Sequence, residues 1–195
     1  MINRTRTIIP AVILCIVCVM LLSIFSRLLF HNQVLSLGDD FIDSETGLPY
    51  LQDNDCYYHL RMTRDIALYG HPGDTIKDGE PWDNLSYAPT GRTASDYKPL
   101  MAYIAIAANR LTSFFASQSL EQTVYWLNLF LSALVVIPVF LLTFEMCGLT
   151  GAIAASVLSA LNYHYLVYTM PGFYDTDGVI IWVACFFFYF GVKLV

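Results

Sequence analysis

Charge is scarce in this chain, and positive charge scarcest. Only 13 % of the 195 residues are charged, with 10 Lys and Arg against 16 Asp and Glu. No basic patch is present to neutralise phosphates, which argues against nucleic-acid binding. A disulfide framework is missing as well. The five cysteines are Cys15, Cys18, Cys56, Cys147 and Cys185, and only Cys56 falls in a polar stretch. Cys15 and Cys18 have the spacing of a metal or redox pair, but no second pair exists to complete a zinc site, so they read as packing residues. The first apolar run ends in Arg27-Leu28-Leu29-Phe30 rather than in a small-x-small cleavage site. That run therefore reads as an uncleaved anchor rather than a signal peptide.

What the chain has in abundance is apolar surface: 56 % of its residues are hydrophobic, too many for an ordinary soluble domain. Ile8–Phe30 exceeds the roughly 20 residues needed to cross a bilayer. Arg4 and Arg6 precede it and place the N-terminus in the cytoplasm. Further spans are expected over Gln122–Phe144, Leu149–Tyr168 and Val179–Val195. In the third, Gly151, Ala155 and Ser159 form a ridge of small residues that would let helices approach closely. Pro99–Phe115 is apolar but short and contains Asn109 and Arg110, so it is expected to lie in the interface rather than to span. The expected fold is an all-α polytopic membrane protein in three parts: an anchor (1–30), a long first outer loop (31–119), and transmembrane helices 2–4 (120–195).

The acids are concentrated in the loop. Between His31 and Pro99 stand 12 acidic and 5 basic residues, a balance of −7 in a chain whose total is −6. A helix is expected after an N-cap at Asp53 or Asn54, with Tyr58, Met62, Ile66 and Tyr69 on one stripe and a stop at Gly70-His71-Pro72. Asp55 falls in its first turn, where a carboxylate also complements the helix dipole. His71–Asp96 is rich in Gly, Pro, Asp and Thr and reads as loop. The second acidic element is the turn Met170-Pro171-Gly172-Phe173-Tyr174-Asp175-Thr176-Asp177-Gly178. Pro171 and Gly172 stop the preceding helix. If the backbone beyond them is extended, Asp175 and Asp177 project to the same side and offer oxygen ligands suited to Mg²⁺ or Mn²⁺. Counting crossings from a cytoplasmic N-terminus puts this turn and the acidic loop on the same outer side. Asp55, Asp175 and Asp177 could then gather around one divalent ion.

With these residues in view the chain resembles the N-terminal part of the catalytic subunit of oligosaccharyltransferase, especially the single-subunit bacterial and archaeal forms. Asp53-Asn54-Asp55-Cys56-Tyr57-Tyr58-His59-Leu60-Arg61 is similar to the family's first-loop acidic motif. Leu131–Pro138 is similar to its second span, and Thr169–Asp177 to its second acidic motif. The resemblance implies a membrane glycosyltransferase of GT-C type with about thirteen spans and a soluble outer domain, of which this is the beginning. It implies transfer of an oligosaccharide from a lipid-diphosphate carrier, dolichyl or undecaprenyl, to Asn in Asn-x-Ser/Thr of an acceptor polypeptide. By motif match Asp55, Asp175 and Asp177 would hold Mg²⁺ or Mn²⁺. Asp55 would also contact the acceptor amide as the catalytic carboxylate, and Tyr57 and Tyr174 would lie near substrate. The location implied is the prokaryotic inner membrane, with the active site on the extracytoplasmic face. One departure stands out: many members carry Arg seven residues before the first Asp of the second motif, and this chain has Tyr168. The family's later metal-binding Glu and its Trp-Trp-Asp motif lie beyond Val195, so residues 1–195 alone are expected to be inactive. Rival readings are an O-mannosyltransferase-like enzyme using a lipid-monophosphate sugar and an ion-coupled transporter. The first would place an acidic pair in the first outer loop. The second expects acids in mid-helix, whereas here Glu121 and Glu145 lie at span ends.

Overall fold

The computed structural model describes residues 2–194, with side chains from Ile9 onward. The charges expected from Arg4 and Arg6, and the end of the last span at Val195, lie outside the described side chains. The chain forms two compact units. One comprises Met1–Asp40, Asn128–Pro171 and Thr176–Val195; the other comprises Phe41–Leu127 and Gly172–Asp175.

The first unit is helical. α1 runs over Ile2–Leu35 and continues past the expected end at Phe30. α4 spans Leu120–Ala133 and belongs to this unit from Asn128 onward; α5 covers Val136–Ala160, α6 Tyr163–Val167 and α7 Asp177–Leu194. Among the described residues three stretches are long and apolar enough to cross a membrane: Ile9–Leu35, Leu120–Ala160 and Asp177–Leu194. The middle stretch is not a straight rod. Its helices part at Leu134 and Val135 because Pro138 has no N–H to offer the carbonyl of Leu134. It then turns at Gly148, whose φ of 69° and ψ of −168° leave the helical region. Open space surrounds the position a Cβ would take there, so the need for glycine is one of backbone freedom. Ala160 shares a buried cluster with Val135 and Val136. A straight helix would hold Ala160 and Val136 about 36 Å apart, so the chain doubles back at Gly148, between the expected spans Gln122–Phe144 and Leu149–Tyr168.

Two expectations are corrected here. The buried ridge of small residues is Ala152, Ser156 and Ala160, each 0 % exposed, one position on from Gly151, Ala155 and Ser159. The third span also breaks before Tyr168: the side chain of Asn162 caps α6 by accepting from the Tyr165 N–H at 3.2 Å. In the same unit Arg27 of α1 is wholly buried. Its guanidinium donates to the Ser23 hydroxyl (2.6 Å), the Ala160 carbonyl (3.3 Å) and the Thr169 hydroxyl (2.8 Å).

The second unit is built on α2, Asn54–Tyr69, capped by Asp53 and closed by Gly70 in the left-handed conformation, as expected. Met62 and Ile66 of the expected stripe are buried, while Tyr69 is exposed. The fold is not purely α. His71–Asp96 contains an antiparallel sheet of β1 (Thr75–Lys77), β2 (Glu80–Asp83) and β3 (Arg92–Thr93) in that order. Asp78 (φ 54°) and Gly79 (φ 85°) form the two-residue turn between β1 and β2. Positive φ at both positions matches the twist of a tight hairpin, and Asp-Gly is a favoured pair there. Arg61 of α2 ties the sheet down: its Nη1 lies 2.5 Å from Oδ1 of Asp83, a residue 1 % exposed. Burial would raise the Asp83 carboxyl, but hydrogen bonds from Arg61 and Ser86 outweigh it and hold the group at about 2. α3 covers Leu100–Thr112, within the segment expected to lie in the interface. Its 13 residues are too few to span. It buries Met101, Ala102 and Ala105 and exposes Leu100, Tyr103 and Leu111.

Candidate functional site

The segment Gly172–Asp175 is laced to the start of α2 by backbone and side-chain bonds. Gly172 accepts from the Gln52 N–H at 3.1 Å and donates to the Tyr125 carbonyl at 2.8 Å. Glycine is required twice over here: φ is +84°, and a Cβ would sit 2.9 Å from the Tyr125 ring. The Tyr174 N–H donates to Cys56 Sγ at 3.2 Å, and the Tyr174 hydroxyl pairs with that of Thr63 at 2.9 Å. Burial pushes the Cys56 thiol up to about 11, so this cysteine serves as a packed acceptor rather than a reactive thiolate. Asp175 Oδ1 lies 3.3 Å from His59 Nε2, with the two side chains 21 % and 17 % exposed.

These contacts bring two of the expected acids to one end of α2. Asp55 and Asp175 are each one residue from the Cys56–Tyr174 contact. Asp55 and His59 are four residues apart and share a helix face, and His59 meets Asp175. Asp55 is exposed, which leaves its carboxylate accessible from solvent. Asp177 opens α7 in the other unit and is also exposed. The Thr176 carbonyl before it accepts from the N–H groups of Val179 and Ile180, so Asp177 stands at the positive end of that helix.

The tyrosines are placed differently from each other. Tyr57 is 43 % exposed and lines a cavity of about 190 Å³ with Tyr50, Arg64, Glu121 and Tyr125. Its hydroxyl accepts from the Leu51 N–H at 3.1 Å. Tyr174, expected near substrate, is 0 % exposed. Its ring is enclosed and its hydroxyl engaged, which places it as a support for the turn rather than a surface for a ligand. His59 has no ligand-like spacing in the sequence, yet it is the residue nearest Asp175 in the contacts above. Its only local signal was its position one helical turn beyond Asp55.

Whether these residues suit a metal can be judged from the donors. Carboxylates are the oxygen ligands that Mg²⁺ and Mn²⁺ take, and Asp55 and Asp175 both lie toward the N-terminal end of α2. Among the described residues no three His, Cys, Asp or Glu side chains are gathered closely enough to hold an ion. The donor chemistry fits and the set is partial. Mg²⁺ ordinarily keeps several waters and takes phosphate oxygens beside one or two carboxylates, so two acids are a workable protein share.

Residues 10–195 match the family model "Oligosaccharyl transferase STT3, N-terminal". The chain is 28 % identical over 193 residues to the dolichyl-phosphooligosaccharide-protein glycotransferase of Methanococcus voltae, covering 94 % of this chain and 21 % of that protein. It is 29 % identical over 173 residues to the undecaprenyl-diphosphooligosaccharide–protein glycotransferase of Campylobacter jejuni, covering 88 % and 19 %. The chain thus spans about a fifth of the length of these curated relatives. The fold matches the apo crystal structure of the Archaeoglobus fulgidus oligosaccharyltransferase with a TM-score of 0.64 at 20 % identity, over 88 % of this chain and 18 % of that one. The archaeal oligosaccharyltransferase AglB from the same organism, solved with an inhibitory peptide and a dolichol-phosphate, matches with a TM-score of 0.62.

Proposed function

The chain belongs to the oligosaccharyl transferase STT3 N-terminal family, and from that premise we propose that it forms the start of a membrane enzyme of N-linked protein glycosylation. The reaction is transfer of an oligosaccharide from a lipid-diphosphate carrier to the side-chain amide of Asn in an Asn-x-Ser/Thr acceptor. The observation that carries this reading is the seating of Asp175 against α2, through His59 at 3.3 Å and Tyr174 on Cys56, at the helix end that bears Asp55. This seats Asp175 near the helix end that bears Asp55, more than a hundred residues away in the chain, which supports the reading.

The chemistry explains why acids are needed. An amide nitrogen is a poor nucleophile because its lone pair is delocalised. Asp55, exposed at the helix start, accepts a hydrogen bond from the acceptor amide and orients that nitrogen. By motif match Asp55, Asp175 and Asp177 are the carboxylates that would hold Mg²⁺ or Mn²⁺, and such an ion would offset the charge developing on the leaving diphosphate. Tyr57, which lines its cavity and is partly exposed, is an aromatic side chain available to substrate. The helical hairpin at Gly148 supports a count of four spans, with the Asp175 turn on the extracytoplasmic face of a prokaryotic inner membrane.

The test is glycan transfer to an Asn-x-Ser/Thr peptide by the full-length enzyme carrying Asp55→Ala or Asp175→Ala. The expected loss is on the order of a hundredfold or more in each, the scale of removing one transition-state contact. Undiminished transfer by both variants rejects the assignment.

A further inference from the structure

His59 is held from both sides. Its Nδ1 lies 3.2 Å from the Tyr97 hydroxyl, and its Nε2 lies 3.3 Å from Asp175 Oδ1. The ring also packs edge-on against Tyr174, with centroids 6.3 Å apart, so it cannot swing freely. A carboxylate can only accept a hydrogen bond, so Nε2 must present the proton to Asp175. In a neutral imidazole Nδ1 is then the acceptor, and a donor must face it. The Tyr97 hydroxyl stands in that place. Burial pushes Tyr97 well above the usual tyrosine range, so it keeps its proton to donate.

We propose that Tyr97 and His59 form a positioning relay for Asp175: the Tyr97 hydroxyl holds Nδ1, this fixes the ring, and Nε2 facing Oδ1 fixes the orientation of the carboxylate. The relay rests on the reading of Asp175 as a metal ligand for its consequence, though not for its geometry. Groups that hold a ligating carboxylate from behind set how well it binds an ion, and their loss typically costs about 10- to 100-fold in affinity. Tyr97 also gives the loop before α3 a direct part in the site, since it belongs to the stretch between the small sheet and that helix.

Two measurements on the full-length protein test the relay. The first is solid-state ¹⁵N NMR of the histidine-labelled, metal-free protein, with His59 assigned by its loss in His59→Gln. The expected signal is a protonated Nε2 and an Nδ1 whose ¹⁵N shift changes in Tyr97→Phe. An unprotonated Nε2, or no change in Tyr97→Phe, overturns the proposal. The second is Mn²⁺ binding followed by electron paramagnetic resonance. His59→Ala is expected to weaken binding about tenfold. His59→Gln, whose side-chain amide can donate from nearly the same place, restores it, and Tyr97→Phe weakens it by less. Affinity unchanged in His59→Ala while Asp175→Ala abolishes binding removes the positioning role. If Asp175→Ala itself leaves Mn²⁺ binding intact, the metal reading fails, and the tautomer measurement alone decides whether the relay exists. Tyr97→Phe deletes a single hydroxyl, so it remains informative if His59→Ala fails to fold.

Discussion

Two arginines, one wholly buried and one partly exposed, show how differently the two units are held. In the apolar unit Arg27 directs its N–H groups at neutral oxygens, those of Ser23, Ala160 and Thr169, and its guanidinium lies 5.2 Å from the centre of the Tyr165 ring. In the loop unit Arg61 meets a full negative charge, the buried carboxylate of Asp83. The apolar unit gains its stability from close packing around Val19, Val135, Val136 and Ala160, with Arg27 joining α1 to the end of α5 and to Thr169. The loop unit also buries apolar side chains, among them Leu60, Met62 and Ile66 of α2 and Met101, Ala102 and Ala105 of α3, but its strands are only two to four residues long. Specific polar links are added to that packing: Arg61 to Asp83, Thr63 to Tyr174, and Gly172 to Gln52 and Tyr125. The lesson is that the strands and turn beside α2 are held by a few discrete bonds, one of them a full ion pair, so single polar substitutions act there more strongly than in the spans.

The largest expected effect breaks the loop side of this contrast. Arg61→Ala leaves the Asp83 carboxylate buried and unpaired and costs about 3 kcal/mol, read by denaturant or protease sensitivity of the loop. A double change to Arg61→Met and Asp83→Leu recovers most of that loss. The same pair predicts an acid response. Asp83 titrates lower in the folded protein, at about 2, than in the unfolded chain, near 4. Its stabilisation is therefore complete above about pH 4 and is lost as pH falls toward 2, by up to about 2 kcal/mol. Melting temperature against pH measures this, and Asp83→Asn flattens the curve. On the apolar side Arg27→Met keeps the side-chain volume and loses only bonds to neutral groups, so it costs about 1–2 kcal/mol, seen as a lowered melting temperature in detergent. The smallest effect sharpens the comparison from the surface. Lys193 and Glu145 pair at 2.6 Å but are 46 % and 47 % exposed. Lys193→Ala is therefore expected to leave melting unchanged within error, as exposed pairs usually do.

Much of the site was legible before the fold. α2, its cap at Asp53 and its stop at Gly70 follow from local chemistry, because caps and left-handed glycines act within a few residues. The helix before Pro171-Gly172 ends earlier than those residues suggest, at Val167. The hairpin at Asp78-Gly79 was equally local, and its turn pair was present in a stretch that reads as loop by composition. Other features depend on residues distant in the chain and leave no local pattern. The burial of Tyr174 requires Thr63 and Cys56, and the approach of His59 to Asp175 requires the turn to thread back to α2. The buried ridge Ala152-Ser156-Ala160 differs from Gly151-Ala155-Ser159 by a single position, and small residues occupy both, so only the packing partners decide between them. The charge balance of the loop reported acidity without indicating which acids would meet.

The account depends on Asp55 and Asp175 acting on the same ion. Mn²⁺ binding to the full-length protein, compared with Asp55→Asn and Asp175→Asn made singly, tests this most directly. We predict one bound ion in the parent and an affinity weakened about tenfold or more by each substitution. Equal affinity in the parent and in both variants would contradict it.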